Sequence, residues 1–86
     1  EASLILINSL NKAKKELIAG KGWFEIQQEI GCDFEKSQLA KLEYLELIDA
    51  ASFEVLAVFD PSLQVSICVA AYLGEIRLID NISINF

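Results

Sequence analysis

Histidine is absent from the 86 residues, and with it go most familiar catalytic arrangements. No Ser-His-Asp triad and no Cys-His pair can form. Cys32 and Cys68 are the only cysteines. Two thiols without an imidazole cannot complete a four-ligand zinc site within one chain. They read as reduced, partly buried thiols rather than a disulfide, and so fit a reducing, cytoplasmic origin. Glycine is scarce, with four residues, and neither a Gly-x-Gly-x-x-Gly nor a Gly-rich phosphate loop ending in Lys-Ser/Thr occurs. Gly20-Lys21-Gly22 lacks a strand-loop-helix context and reads as a helix connection. Methionine is missing too. A translated chain begins with one, so the expectation is a chain processed or cut from something longer. Long apolar runs are also lacking. The strongest, Val65–Leu73, is interrupted by Ser66 and falls short of the ~20 residues a membrane helix needs. No signal peptide is recognisable, because Glu1 opens the chain and lysines follow the first apolar stretch.

Basic residues are few: 7 Lys and Arg stand against 13 Asp and Glu, for a net charge of −6. That argues against a nucleic-acid binder, which carries a basic face, and against an anionic membrane surface. Apolar residues, at 53%, are plentiful and exclude a disordered tail. A domain this short buries only about 60–65% of the surface its unfolded chain exposes. With a mean hydropathy of +0.39, some apolar surface is expected to stay outside and meet a partner.

The order of elements points to an α+β fold. One or two N-terminal helices pack on a small antiparallel sheet of about three strands that ends in a β-hairpin. Residues 2–19 read as a helix from the spacing of Leu6, Leu10, Ala13 and Leu17, joined by Ile7 and Ile18. Gly20 suits its left-handed C′ position. The Leu4-Ile5-Leu6-Ile7 run is apolar nearly all round, so it is either sandwiched between layers or left exposed. Residues 22–30 form a second helix with Trp23, Ile26 and Ile30 on one face and Gly31 as terminator. Residues 32–38 read as a connection, with Asp33 and Glu35 solvated. Residues 42–48 form a strand with Leu45 and Leu47 on one face, a helix over 40–47 being the alternative. Residues 50–56 form a turn or a single helical turn, and Asp60-Pro61-Ser62 punctuates the chain.

The last third is the clearest. Val65–Leu73 and Ile76–Ile84 flank Gly74-Glu75, a two-residue loop with glycine first, which suits a type II′ hairpin. That register sets Leu73, Ala71, Val69, Ile67 and Val65 against Ile76, Leu78, Asp80, Ile82 and Ile84 on one face. On the other face Tyr72 meets Arg77, Ala70 meets Ile79, and Cys68 meets Asn81. Asp80 breaks the apolar face and must be paired, hydrogen-bonded or protonated there. Either it accepts backbone N–H bonds or meets a basic group, or it reaches a partner domain or ligand, or a bulge turns it outward. Arg77, the one arginine, can stack on Tyr72 or recognise an anion.

The hairpin also carries a resemblance. Ala71-Tyr72-Leu73-Gly74-Glu75-Ile76-Arg77-Leu78-Ile79-Asp80-Asn81-Ile82 resembles the closing signature of the pantoate–β-alanine ligase family, with its Leu-Gly, two residues and Arg-Leu-Ile-Asp-Asn. Glu43-Tyr44-Leu45-Glu46-Leu47-Ile48-Asp49 is similar to that family's Tyr-rich strand, and residues 1–41 follow it more loosely. Glu75-Ile76 departs from the family's Lys-Thr-like pair, reversing a charge at the turn. The segment between the first helix and Tyr44 is also short.

The resemblance implies that residues 1–86 are one domain, the C-terminal lid of a larger cytoplasmic enzyme whose N-terminal nucleotide-binding domain is the missing partner. It implies ATP and Mg for the full-length enzyme, a homodimer, and a reaction through a pantoyl-adenylate. It places no catalytic, cofactor or metal residue in this stretch, so the fragment alone is expected to be inactive. Arg77, Asp80, Asn81 and Tyr72 remain as candidates for interdomain or hairpin-stabilising contacts. The competing reading is a stand-alone interaction module that binds a partner through an exposed apolar helix or strand edge.

Overall fold

Two helices lie on one face of a four-stranded antiparallel sheet, an α+β architecture. The computed structural model describes residues 2–38 and 40–84. Helix α1 spans Ala2–Ile18 and α2 spans Trp23–Ser37; β1 is Lys41–Asp49, β2 Val55–Leu56, β3 Val65–Leu73 and β4 Ile76–Ile84. The strand order is β2-β1-β3-β4, so β2 and β4 are the edges. Helix α1 packs on β3 and β4, and α2 packs on β1.

Helix α1 buries Leu6, Leu10, Ala13 and Leu17, the stripe that its 3–4-residue spacing dictates. Ile7 and Ile18 do not join that face and are exposed, as is Leu4, whereas Ile5 packs against the core. The apolar opening run is therefore split between core and surface. Gly20 ends the helix at φ +100°, the left-handed geometry that a residue without Cβ adopts cheaply.

Helix α2 runs past Gly31 to Ser37. Phe34 extends the buried row of Trp23, Ile26 and Ile30 by one more turn, and its burial outweighs the modest cost of an interior glycine. The helix ends at Gln38, which takes the left-handed conformation at φ 57° and donates its N–H to the Phe34 carbonyl. Residues 32–37 are thus helix rather than connection, and only Gln38 lies beyond it. Asp33 is not simply solvated either, because Lys12 of α1 contacts it at 2.7 Å.

Strand β1 carries Leu45 and Leu47 into the core, and the helical alternative does not occur. After the turn at residues 50–52 the chain forms the two-residue strand β2, which pairs Leu56 with Leu47 and Val55 with Ile48. Where β2 is too short to cover β1, the Gln27 amide donates to the Leu45 carbonyl at 2.8 Å and satisfies that edge. The β3–β4 register pairs Leu73 with Ile76 and runs unbroken to Val65 with Ile84. Gly74 has φ +62° while Glu75 keeps a negative φ, the sign pattern of a type II′ turn.

The core closes between the layers around Ile26, Ile30, Leu47, Ile67, Val65, Val69 and Ile84, all essentially inaccessible to solvent. No helix among the described residues is long and apolar enough to cross a membrane.

Candidate functional site

The residues that the sequence singles out gather on the β3–β4 hairpin. They do not form one cluster, because strand alternation sends them to opposite faces. Tyr72, Arg77 and Asn81 lie on the outer face, away from the helices, while Asp80 lies on the helix side between Leu78 and Ile82.

Arg77 stands opposite Tyr72, and its guanidinium makes its hydrogen bonds to Glu43 of β1. Nε donates to Oε1 at 2.7 Å and Nη2 to Oε2 at 3.4 Å, a two-pronged contact that spans β3. A bulge makes this possible. Leu42 pairs with Ala71 and Tyr44 with Ala70, so one extra residue is inserted at Glu43. Strict alternation from Leu45 would put Glu43 on the core side. The bulge moves it to the outer face, beside Tyr44. The hydrogen bond to Glu43 raises the Arg77 pKa above its ordinary value, with smaller help from the charges of Glu43, Tyr72 and Tyr44. Sequence reading missed Glu43, because a bulge leaves no mark in an alternating pattern.

Asp80 is half-buried, and its Oδ1 accepts the N–H of Asn81 at 2.8 Å. β4 is an edge strand, and an inward-pointing charge on such a strand discourages another strand from pairing with it. Here the carboxylate also occupies a main-chain donor of that strand.

At the hairpin end of the molecule a cleft of about 810 Å³ opens between α2 and the strands. Phe34, Ala40, Leu42 and Tyr72 line it, together with Gln38 and Gly74. At the opposite end Lys21 is engaged by two carboxylates, Glu29 by hydrogen bond and Glu16 at 3.6 Å. Those contacts raise the Lys21 pKa and lower that of Glu29. Lys21 is thereby paired with two acids rather than left as a lone cation between Gly20 and Gly22. Among the described residues no group of three or more acidic or cysteine side chains is placed to hold a metal ion. Both cysteines are free thiols, Cys32 exposed on α2 and Cys68 half-buried on the sheet. Burial pushes the Cys68 pKa up and so lowers its nucleophilic fraction.

Comparison with known proteins assigns the chain. Residues 1–83 match the family model described as pantoate-beta-alanine ligase. Pantothenate synthetase of Clostridium acetobutylicum is 40% identical over 86 residues, covering 99% of this chain and 30% of that protein. The Clostridioides difficile enzyme is 35% identical over 82 residues, covering 94% and 28%. The Coprothermobacter proteolyticus enzyme is 38% identical over 73 residues, covering 83% and 25%. The chain therefore spans under a third of the length of these relatives, at their C-terminal end. It belongs to the pantoate–β-alanine ligase family.

Proposed function

We propose that this chain is the C-terminal lid of a full-length, ATP-dependent pantoate–β-alanine ligase. The observation that carries the reading is the match of residues 1–83 to the ligase family over a stretch that is only 30% of its relative's length. In the proposed reaction the pantoate carboxylate attacks the α-phosphorus of ATP and pyrophosphate leaves. The β-alanine amine then attacks the acyl carbon of the mixed anhydride. AMP departs, the amine loses a proton, and pantothenate is released.

The mixed anhydride is prone to hydrolysis, so a domain that closes over it and excludes water protects the intermediate. The described residues of this chain carry neither a Gly-rich phosphate loop nor a metal cluster. The family resemblance assigns ATP and Mg to the N-terminal nucleotide-binding domain, and in this reading the isolated 86-residue chain is inactive. In this reading Arg77, Asp80, Asn81 and Tyr72 hold the hairpin or meet the neighbouring domain and take no part in bond making. The full-length enzyme is cytoplasmic and homodimeric, as the family resemblance implies.

The test is pantoate-dependent exchange of labelled pyrophosphate into ATP by the full-length protein without β-alanine, followed by AMP and pantothenate release once β-alanine is added. Exchange and one-to-one products are expected. Pantothenate formation without exchange overturns the adenylate route, and the absence of both overturns the ligase reading.

A further inference from the structure

Among the described residues the exposed large apolar side chains lie at the two ends of the molecule, except Ile79, which stands apart on the outer face of β4. Leu4, Ile7, Tyr72, Leu73 and Ile76 belong to the hairpin end, and Ile18, Phe24, Phe53, Val55 and Val58 to the other. The helix pair fixes this assignment. Lys12 of α1 meets Asp33 of α2, and Lys21 in the connection meets Glu16 and Glu29, so the helices are antiparallel. From Lys12 back to Leu4 is about 12 Å of helix, whereas from Asp33 to Ser37 is about 6 Å. The first turns of α1 therefore overhang the C-terminus of α2. They do so at the end where Phe34, Leu42, Tyr72 and Gly74 line the cleft. At the other end Leu17 lies beside Val58 and Phe59.

From this arrangement we infer that the hairpin end, bearing Leu4, Ile7, Leu73 and Ile76 around the cleft, is the face that docks on the N-terminal part of the full-length ligase. The inference rests on the reading of this chain as that enzyme's C-terminal portion. The occupant follows from chain length and connectivity. About 70% of the Clostridium acetobutylicum relative lies outside the matched stretch, and the match is C-terminal, so the preceding polypeptide arrives at the start of α1. A domain tethered there is held next to Leu4 and Ile7 at high effective concentration. The far end is separated from that tether by the length of a 17-residue helix, about 25 Å. The cleft is apolar on Phe34, Ala40 and Leu42, with Glu35, Gln38 and Lys41 also lining it, and the hairpin tip beside it exposes Leu73 and Ile76. A surface of this kind is completed by an apolar segment seated between tip and helix.

The test is hydroxyl-radical footprinting of the full-length ligase, with each side chain referred to its rate in the urea-unfolded protein. Leu73, Ile76 and Ile7 are expected to be protected at least about fivefold more than Phe53 and Val58. Ile76→Lys, a surface change within this domain, should at least double the labelling of Leu73. Equal labelling of the two ends, or protection of Phe53 and Val58 instead, overturns the proposal. Protection that disappears on dilution assigns the face to a second copy and overturns it too. The pyrophosphate-exchange assay on the same sample separates the two claims. Exchange with an unprotected hairpin end defeats the docking face alone, whereas a protected hairpin end without ligase activity defeats the ligase reading alone.

Discussion

Glu43 and Arg77 face each other across an intervening strand, joined by two hydrogen bonds over the outer face of β3. The pair links the start of β1 to the beginning of β4, on either side of Tyr72. Both side chains keep a third or more of their surface in water, so the contact is a brace for geometry rather than a source of stability. Glu43→Gln should leave the unfolding midpoint almost unchanged. Amide exchange at the hairpin tip, residues 72–77, should become faster. Exchange followed by NMR checks both, and an unchanged tip with a large loss of stability would contradict the assignment.

The glycines at positions 31 and 74 should respond to alanine with opposite signs. Gly31 lies inside α2 with no heavy atom within 4 Å of where a Cβ would sit. Alanine there relieves the conformational cost of an interior glycine, and stability should rise by about 0.5–1 kcal/mol. Gly74 has φ +62° in the hairpin turn, and alanine there should cost roughly 1–2 kcal/mol. Urea denaturation followed by the fluorescence of Trp23, the chain's one tryptophan, reads both changes.

Leu47 is fully buried beneath the helices. Leu47→Ala should cost roughly 2–5 kcal/mol, through lost transfer energy and the cavity left behind. Val55→Ala removes a residue that is 62% exposed on the β2 edge and should change stability far less. Equal losses at the two positions would mean that the sheet face is misassigned.

Asp60 supplies a pH signature. The Ser62 hydroxyl at 2.7 Å and the Ser62 N–H at 2.9 Å both bond Oδ1 and hold this carboxyl below the usual aspartate range. A folded pKa below the unfolded one, about 3.9, stabilises the fold above pH ~4. That contribution is lost as pH falls through the folded value. An NMR titration should find the Asp60 midpoint below that of the unfolded chain, and Ser62→Ala should move it upward.

The hairpin was legible down to individual cross-strand pairs, because strict alternation and Gly74-Glu75 leave a single register. The end of α2 was not, because a glycine after Ile30 looks like a terminator until the burial of Phe34 one turn later is known. β2 is only two residues long, too short for any period to show. The Glu43–Arg77 contact depends on a bulge and on strand order, which are tertiary properties. The face of Asp80 could be read from the sequence. Its partner, the next residue's own N–H, needed coordinates.

That contact gives a prediction about association. β4 offers a nine-residue outer edge, and strands of that length invite pairing with another chain. Asp80 opposes pairing twice, by placing charge on the apolar side of the strand and by occupying the Asn81 N–H. Asp80→Val removes both obstacles. It also places a β-branched apolar residue between Leu78 and Ile82, which pack against the core, so the monomer fold should be kept. Asp80→Asn removes the charge but keeps an oxygen acceptor. Sedimentation velocity over a concentration series should show Asp80→Val self-associating at lower concentration than the parent, with Asp80→Asn between them. If Asp80→Val sediments like the parent at every concentration, Asp80 does not guard the edge. Its half-buried charge would then simply be tolerated in the fold.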